Sequence, residues 1–198
     1  MIHHRQSSEY TTAASSLLSI LHIQKGTPLT KENEFAIWHA SANLPTRGCN
    51  IYGLALYAKQ QGLSPKVIVE TKEYDFPDYR FYRYTKDDIT HAAFSSALHL
   101  AKAEAANIPI TQKRLSLADV KQHLQDNMVL LRVNAKPIRN AKRNTSNYIV
   151  VLGYEEGYFH IMDPAIGGLS IPKDVMQDAF DSLETKKYRD HRMILFQE

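Results

Sequence analysis

The sequence predicts an α+β protein. Three observations carry that expectation: apolar residues at helical spacing dominate the first 125 positions, short segments rich in Val, Ile, Leu and Tyr dominate the remainder, and the βαβα alternation of a nucleotide-binding sheet is missing. Helices first and hairpin-forming strands second suit a helical part packed on an antiparallel sheet. At 198 residues the chain has the size of one domain, about 100–200 residues being usual. No linker-like stretch or internal repeat divides it, so residues 1–198 are read as a single domain with a helical lobe to about 125 and a sheet lobe from about 126.

The first helix is Ala13 to Ile23. Ala13, Leu17, Leu18, Ile20 and Leu21 recur at helical spacing behind two capping candidates, Thr11 and Thr12, and Gly26 with Pro28 stops it. Glu32 to Ala42 is the second, with Phe35, Ile37, Trp38 and His39 in its middle and Pro45 beyond its end. The third starts just after Gly48-Cys49-Asn50 and runs to Gln61, with Gly62 as its stop, which places Cys49 near a helix N-terminus. Lys66 to Glu70 is a short β-branched strand, and Tyr74 to Tyr84 interleaves aromatic and arginine residues. Thr85 and Ser116 each precede an aspartate by three residues and open helices to about Asn107 and about Gln125. Met128 to Val133, Asn147 to Leu152, Tyr158 to Met162 and Met193 to Phe196 read as strands, with Glu155-Glu156-Gly157 as a tight turn. Pro172 stands at a first helical position, ahead of a helix to about Leu183. Asn134 to Ser146, carrying Lys136, Arg139, Lys142 and Arg143, reads as a basic loop between two strands.

Composition narrows the function classes. With 43% hydrophobic and 23% charged residues, the chain is neither disordered nor fibrous. Its 24 Lys+Arg against 21 Asp+Glu leave a net charge of +3, too slight to imply a nucleic-acid partner. Cys49 is the only cysteine, which excludes an internal disulfide and a multi-cysteine zinc site and fits a reducing compartment. The histidines show no H-x-x-x-H spacing, so neither a metal nor another cofactor is expected. The start Met1-Ile2-His3-His4-Arg5-Gln6 lacks the charged-then-apolar pattern of a signal peptide. No apolar run approaches the roughly 18 residues of a membrane span, which leaves the cytoplasm as the expected location.

An ordered set of motifs carries the chemistry. Gln6-Ser7-Ser8-Glu9-Tyr10-Thr11-Thr12-Ala13-Ala14 precedes a helix, Thr145-Ser146-Asn147-Tyr148-Ile149-Val150-Val151-Leu152-Gly153 lies on a strand, and Met162-Asp163-Pro164 follows. The set resembles the papain-like cysteine peptidases of the double-glycine leader type, whose corresponding stretches read roughly Q-x-x-E-Y-T-C-G-P-A, H-W-V-V-V-x-G and v-x-D-P. The resemblance runs on through Pro172 and a C-terminal strand, so it covers most of the chain. It is closest to a bacterial cytosolic branch with a glycine-cysteine pair before the next long helix, here Gly48-Cys49. It implies a papain-like fold, with a helical lobe packed on an antiparallel sheet.

Matched position by position, the resemblance puts Gln6 at the oxyanion-stabilising glutamine and Asp163 at the acid that orients the catalytic histidine. Thr12 stands at the nucleophilic cysteine and Asn147 at the general-base histidine, while Ala13 and Ala14 replace a glycine and a proline. A cysteine nucleophile depends on an imidazole that stabilises its thiolate. An alcohol without a base is far poorer, asparagine cannot accept the proton, and general-base help alone is worth roughly 10²–10⁴-fold. The expectation is therefore a non-catalytic, leader-peptidase-like protein that keeps its former active-site cleft for a peptide or protein segment, glycine-rich segments included. Each residue also has a plainer reading: Thr12 as a helix cap, Asn147 as a strand-edge polar residue, and Asp163-Pro164 as a turn pair.

The alternative is an active thiol hydrolase or acyltransferase in which Cys49 is a relocated nucleophile, activated by a helix N-terminus and by nearby Arg47, with His39 or His160 as base. Its plainer reading is a small packing residue. His160 and Asp163 fall on opposite sides of their strand, against a local dyad. If Tyr79 to Tyr84 is extended, Tyr79, Arg80, Tyr82 and Arg83 form a strip of aromatic and cationic groups able to hold a peptide.

Overall fold

The computed structural model describes residues 4–74, 76 and 84–197. Helices α1 (Thr12–Lys25), α2 (Lys31–Ser41) and α3 (Ile51–Gln60) come first, then strand β1 (Pro65–Val69) and helix α4 (Lys86–Ala105). Strand β2 (Ile110–Gln112), helix α5 (Leu117–His123), strand β3 (Asn127–Asn134) and the one-turn helix α6 (Ala135–Arg139) follow. The chain then forms β4 (Ser146–Glu155), β5 (Tyr158–Asp163), β6 (Gly167–Pro172), helix α7 (Lys173–Lys187) and β7 (Arg192–Gln197).

The strands make one seven-stranded sheet in the order β2-β1-β7-β3-β4-β5-β6. Neighbours are antiparallel except β1 and β2, which run parallel. The period of two sorts β3 between two cores: Met128 and Leu130 pack with α1 and α3, whereas Val129, Leu131 and Val133 face α5 and α7. Both faces are thus covered, which is why β3 reads as an almost unbroken apolar run. Helix α1 is buried continuously from Thr12 to Leu21, because α2, α3 and β4 all pack on it. Both expected capping boxes form: Asp88 and Asp119 accept from the backbone N–H of Thr85 at 2.7 Å and of Ser116 at 2.9 Å, and each cap hydroxyl returns the bond at 3.2 Å.

Four local features depart from the sequence expectation. The basic stretch after β3 is not all loop: the buried Asn134 side chain accepts from Lys136 N–H at 3.2 Å and nucleates α6, which Asn140 ends in the left-handed region at φ 47°. Strands β2 and β6 lack clear alternation and exist through their neighbours, Val67 pairing with Ile110 and Asp163 with Gly167. Neither Thr11 nor Thr12 caps α1 through its side chain; the Thr11 hydroxyl turns back to Ser8 O at 3.1 Å. Pro172 is the residue before α7 and not its first helical residue. No helix among the described residues is long and apolar enough to cross a membrane.

Candidate functional site

A cleft of about 660 Å³ opens where the N-terminal end of α1 meets the start of β4 and the turn that joins α2 to α3. Thr12, Asn43, Cys49 and Asn147 line it. The Ser16 hydroxyl donates to Tyr148 O at 2.9 Å and laces α1 to β4, so Thr12, one turn earlier, stands beside Asn147. Thr12 is the first residue of α1, is only 8% exposed, and its hydroxyl makes no hydrogen bond within the described residues.

The segment before α1 is tied down twice. Gln6 N–H donates to Pro164 O at 2.8 Å, joining it to the turn after β5, while the Gln6 Oε1 is buried without a partner among the described residues. Glu34 of α2, fully buried, accepts from Ser7 N–H at 2.8 Å, from the Ser7 hydroxyl at 2.5 Å and faces His4 Nε2 at 2.8 Å. Burial alone would raise the Glu34 carboxyl, but hydrogen bonds from Ser7, Thr11 and His4 outweigh it and hold the group below its ordinary value. Sequence reading passed over Glu34, whose one signal is an acid one turn before Ile37 on the buried face of α2.

Asp163 ends β5 and is fully buried. Its Oδ1 accepts from the backbone N–H of Ala165 at 2.8 Å and of Ile166 at 3.3 Å. Arg139, carried by α6, donates from Nε to both carboxylate oxygens at 3.1 and 2.9 Å. Asn147 is 6% exposed, and one orientation of its amide satisfies its surroundings. Oδ1 accepts from Arg139 Nη1 at 2.8 Å and Nη2 at 3.1 Å, and Nδ2 donates to Ser146 O at 2.9 Å. The structure thus brings Thr12, Asn147 and Asp163 into one neighbourhood and inserts a guanidinium between the last two. In the sequence Arg139 is one of four cations in a basic stretch between two strands. The available signal was Asp163 itself, since a buried carboxylate calls for a cation or several donors.

Cys49 pairs with Ala42 in an isolated bridge and is half-buried at the cleft wall. Burial pushes its thiol up to about 11, only partly opposed by the Ser41 hydroxyl and the Ala14 N–H, so the group is a neutral thiol at pH 7. His39 lies on exposed α2 surface against Phe35 and Trp38, and His160 Nδ1 sits 2.8 Å from the Ser170 hydroxyl. Among the described residues, no histidine lines the cleft. Tyr79, Arg80, Tyr82 and Arg83 lie outside the described residues. Beyond Asn147 the wall is cationic: Arg132 and Arg192 share Asp190 at 3.2 and 2.8 Å and both approach the ring of Tyr74. The described residues contain no group of His, Cys, Asp and Glu that could hold a metal ion.

Comparison with solved structures gives the same architecture. A double glycine motif protease from an AMS/PCAT transporter, solved in complex with the leader peptide, matches with a TM-score of 0.51 at 15% identity over 99% of this chain and 90% of that one. The peptidase domain of Streptococcus ComA, a bi-functional ABC transporter of a quorum-sensing pathway, matches with a TM-score of 0.51 at 12% identity, over 98% and 96%. Among curated proteins none matches the chain. At these identities the likeness establishes the fold, which is that of the papain-like peptidase domains. The family model of the Peptidase_C39 like family matches residues 1–185, and with nearly the whole chain matched, the protein belongs to the Peptidase_C39 like family.

Proposed function

We propose that this protein holds an extended peptide segment in its cleft and does not cleave it. The observation that carries the reading is the contact of Arg139 with Asn147 and Asp163 at once. Where a general base would take up a proton, the site has a guanidinium that stays protonated at any working pH and an amide that accepts none. Among the described residues the Thr12 hydroxyl has no base in the cleft to activate it, and the Cys49 thiol is held protonated by burial. What survives is the shape: an open cleft with polar groups on its floor and cationic and aromatic groups on its wall.

The solved relative with a bound leader peptide supports a peptide as the occupant, and its double-glycine motif supports a segment containing paired glycines. The lone cysteine fits a cytoplasmic setting. The test pairs binding with cleavage. Calorimetry with synthetic peptides containing Gly-Gly should show saturable binding to the wild-type protein, and mass spectrometry after prolonged incubation should show the peptides intact. Cleavage that disappears in Thr12→Ala, or in Cys49→Ser, would overturn the reading.

A further inference from the structure

Where the apolar face of the sheet gives out, a row of polar side chains takes over. Leu130, Val150 and Ile194 lie side by side on β3, β4 and β7 in the core under α1 and α3. Two residues further along the same face, the same register sets Arg132 between Tyr148 and Arg192, and all three line the cleft. The two guanidiniums share a single carboxylate: Asp190 accepts from Arg132 Nη1 at 3.2 Å and from Arg192 Nε at 3.0 and 2.8 Å. The other bonds of Arg132 go to the hydroxyls of Ser146 at 2.9 Å and Tyr74 at 3.2 Å, and Arg192 Nη2 donates to Thr71 O at 3.0 Å. With the arginine side chains only 13% and 4% exposed, two cations in the wall are met by one anion among the described residues, and a mostly buried charge calls for a counter-charge. Arg192 Nη1 and the Tyr148 hydroxyl have no hydrogen-bond partner among the described residues, and neither is one of the partnerless atoms sealed from solvent, so both open onto the cleft. Burial raises the Tyr148 phenol above its ordinary value, which keeps it a donor at pH 7.

We propose that the Tyr148–Arg132–Arg192 row is a subsite for the carboxylate side chain of an aspartate or glutamate in the bound peptide, with the Tyr148 hydroxyl, Arg192 Nη1 and the remaining Nη hydrogens of Arg132 as donors. The inference rests on the peptide-binding reading and adds the kind of residue that the peptide carries. A carboxylate is favoured over a main-chain carbonyl because only an anion offsets the second guanidinium, and because planar guanidiniums match carboxylate geometry. Glu9, the acid in the described lining, is exposed and belongs to the segment before α1, whereas the ionisable groups that act on Arg132 are Tyr74, Tyr148 and Asp190. The row is set by the pairing of three strands and needs no rearrangement to receive a ligand.

The test uses immobilised full-length protein and a pool of random heptapeptides, acetylated at the N-terminus and amidated at the C-terminus so that side chains carry all the charge, with the retained peptides sequenced by mass spectrometry. Peptides containing Asp or Glu should be enriched about fivefold or more over their Asn and Gln counterparts, a preference that falls as salt is raised from about 0.05 to about 0.5 M. Retention without an acidic preference would overturn the subsite while leaving the peptide-binding cleft standing; no retention would overturn both. Tyr148→Phe removes one donor and keeps the shape, so its melting temperature should stay within a few degrees while the affinity for a retained acidic peptide falls about tenfold and that for its amide counterpart does not. Arg132→Gln removes the charge and should abolish the preference; where that variant fails to fold, Tyr148→Phe decides. An acidic preference undiminished in folded Tyr148→Phe would refute the assignment.

Discussion

Replacing Arg139 by Gln should destabilise the protein severely for a surface-derived side chain. Asp163 is fully buried and accepts two hydrogen bonds from Arg139 Nε and two from backbone N–H groups. Removing the cation strands a buried charge, a change that costs about 3–5 kcal/mol. The two remaining backbone donors pull the figure toward the lower end. Loss of two donors to Asn147 Oδ1 pushes it back up, each being worth roughly 0.5–1.5 kcal/mol net. For a chain of this size, about 3–5 kcal/mol corresponds to a fall of roughly 6–20 °C in melting temperature. The assay is urea unfolding followed by circular dichroism, on wild type, Arg139→Gln, Asp163→Asn and the double variant. In the double variant the stranded charge is gone, so the cycle should return a coupling of about 2 kcal/mol or more. A single variant within about 1 kcal/mol of wild type, with no coupling, would show that the guanidinium does not hold Asp163.

Two further outcomes follow from the same environment. With its thiol raised to about 11, Cys49 should react with iodoacetamide at pH 7 at least a hundredfold more slowly than a free cysteine of pKa about 8.5; rapid labelling below pH 8, read by intact mass, would contradict the burial argument. Glu34 is held below its ordinary 4.5 in the folded protein, so it contributes stability above that pH and loses the contribution as pH falls through the lowered value. Glu34→Gln should therefore flatten the acid side of the pH–stability curve, and an unchanged acid limb would count against the role given to Ser7 and His4.

What was legible in the sequence follows the range of the forces involved. Helices α1 to α3 show through their apolar residues, and α4 and α5 through the caps Thr85 and Ser116 with an aspartate three residues on, because those signals are local. Strands β3, β4, β5 and β7 showed as β-branched runs buried on one or both faces. Strand β2 has three residues and β6 begins Gly167-Gly168, so pairing partners decide them and no window of sequence contains the reason. The turn of α6 hangs on one buried side chain, Asn134, whose Nδ2 reaches Asn144 and Ser182 at 2.9 and 2.8 Å. Its cap lies in the fold, beyond the reach of periodicity.

The site divides along the same line. A motif is a local pattern, so Gln6, Thr12, Asn147 and Asp163 stand out in order along the chain. It does not say which distant side chain meets them in the fold. A buried carboxylate beside an amide oxygen leaves two deficits to be met, an uncompensated charge and an acceptor without donors. One residue that is long, planar and permanently cationic repairs both, and α6 ends at the place from which such a residue can reach. Arg139 is 24 positions from Asp163 and carries no signature that distinguishes it from Lys136 or Arg143. The Asn147 amide and the placement of the arginine therefore have to be understood together: without the arginine the Asp163 carboxylate would be stranded and the Asn147 Oδ1 would lose both its donors.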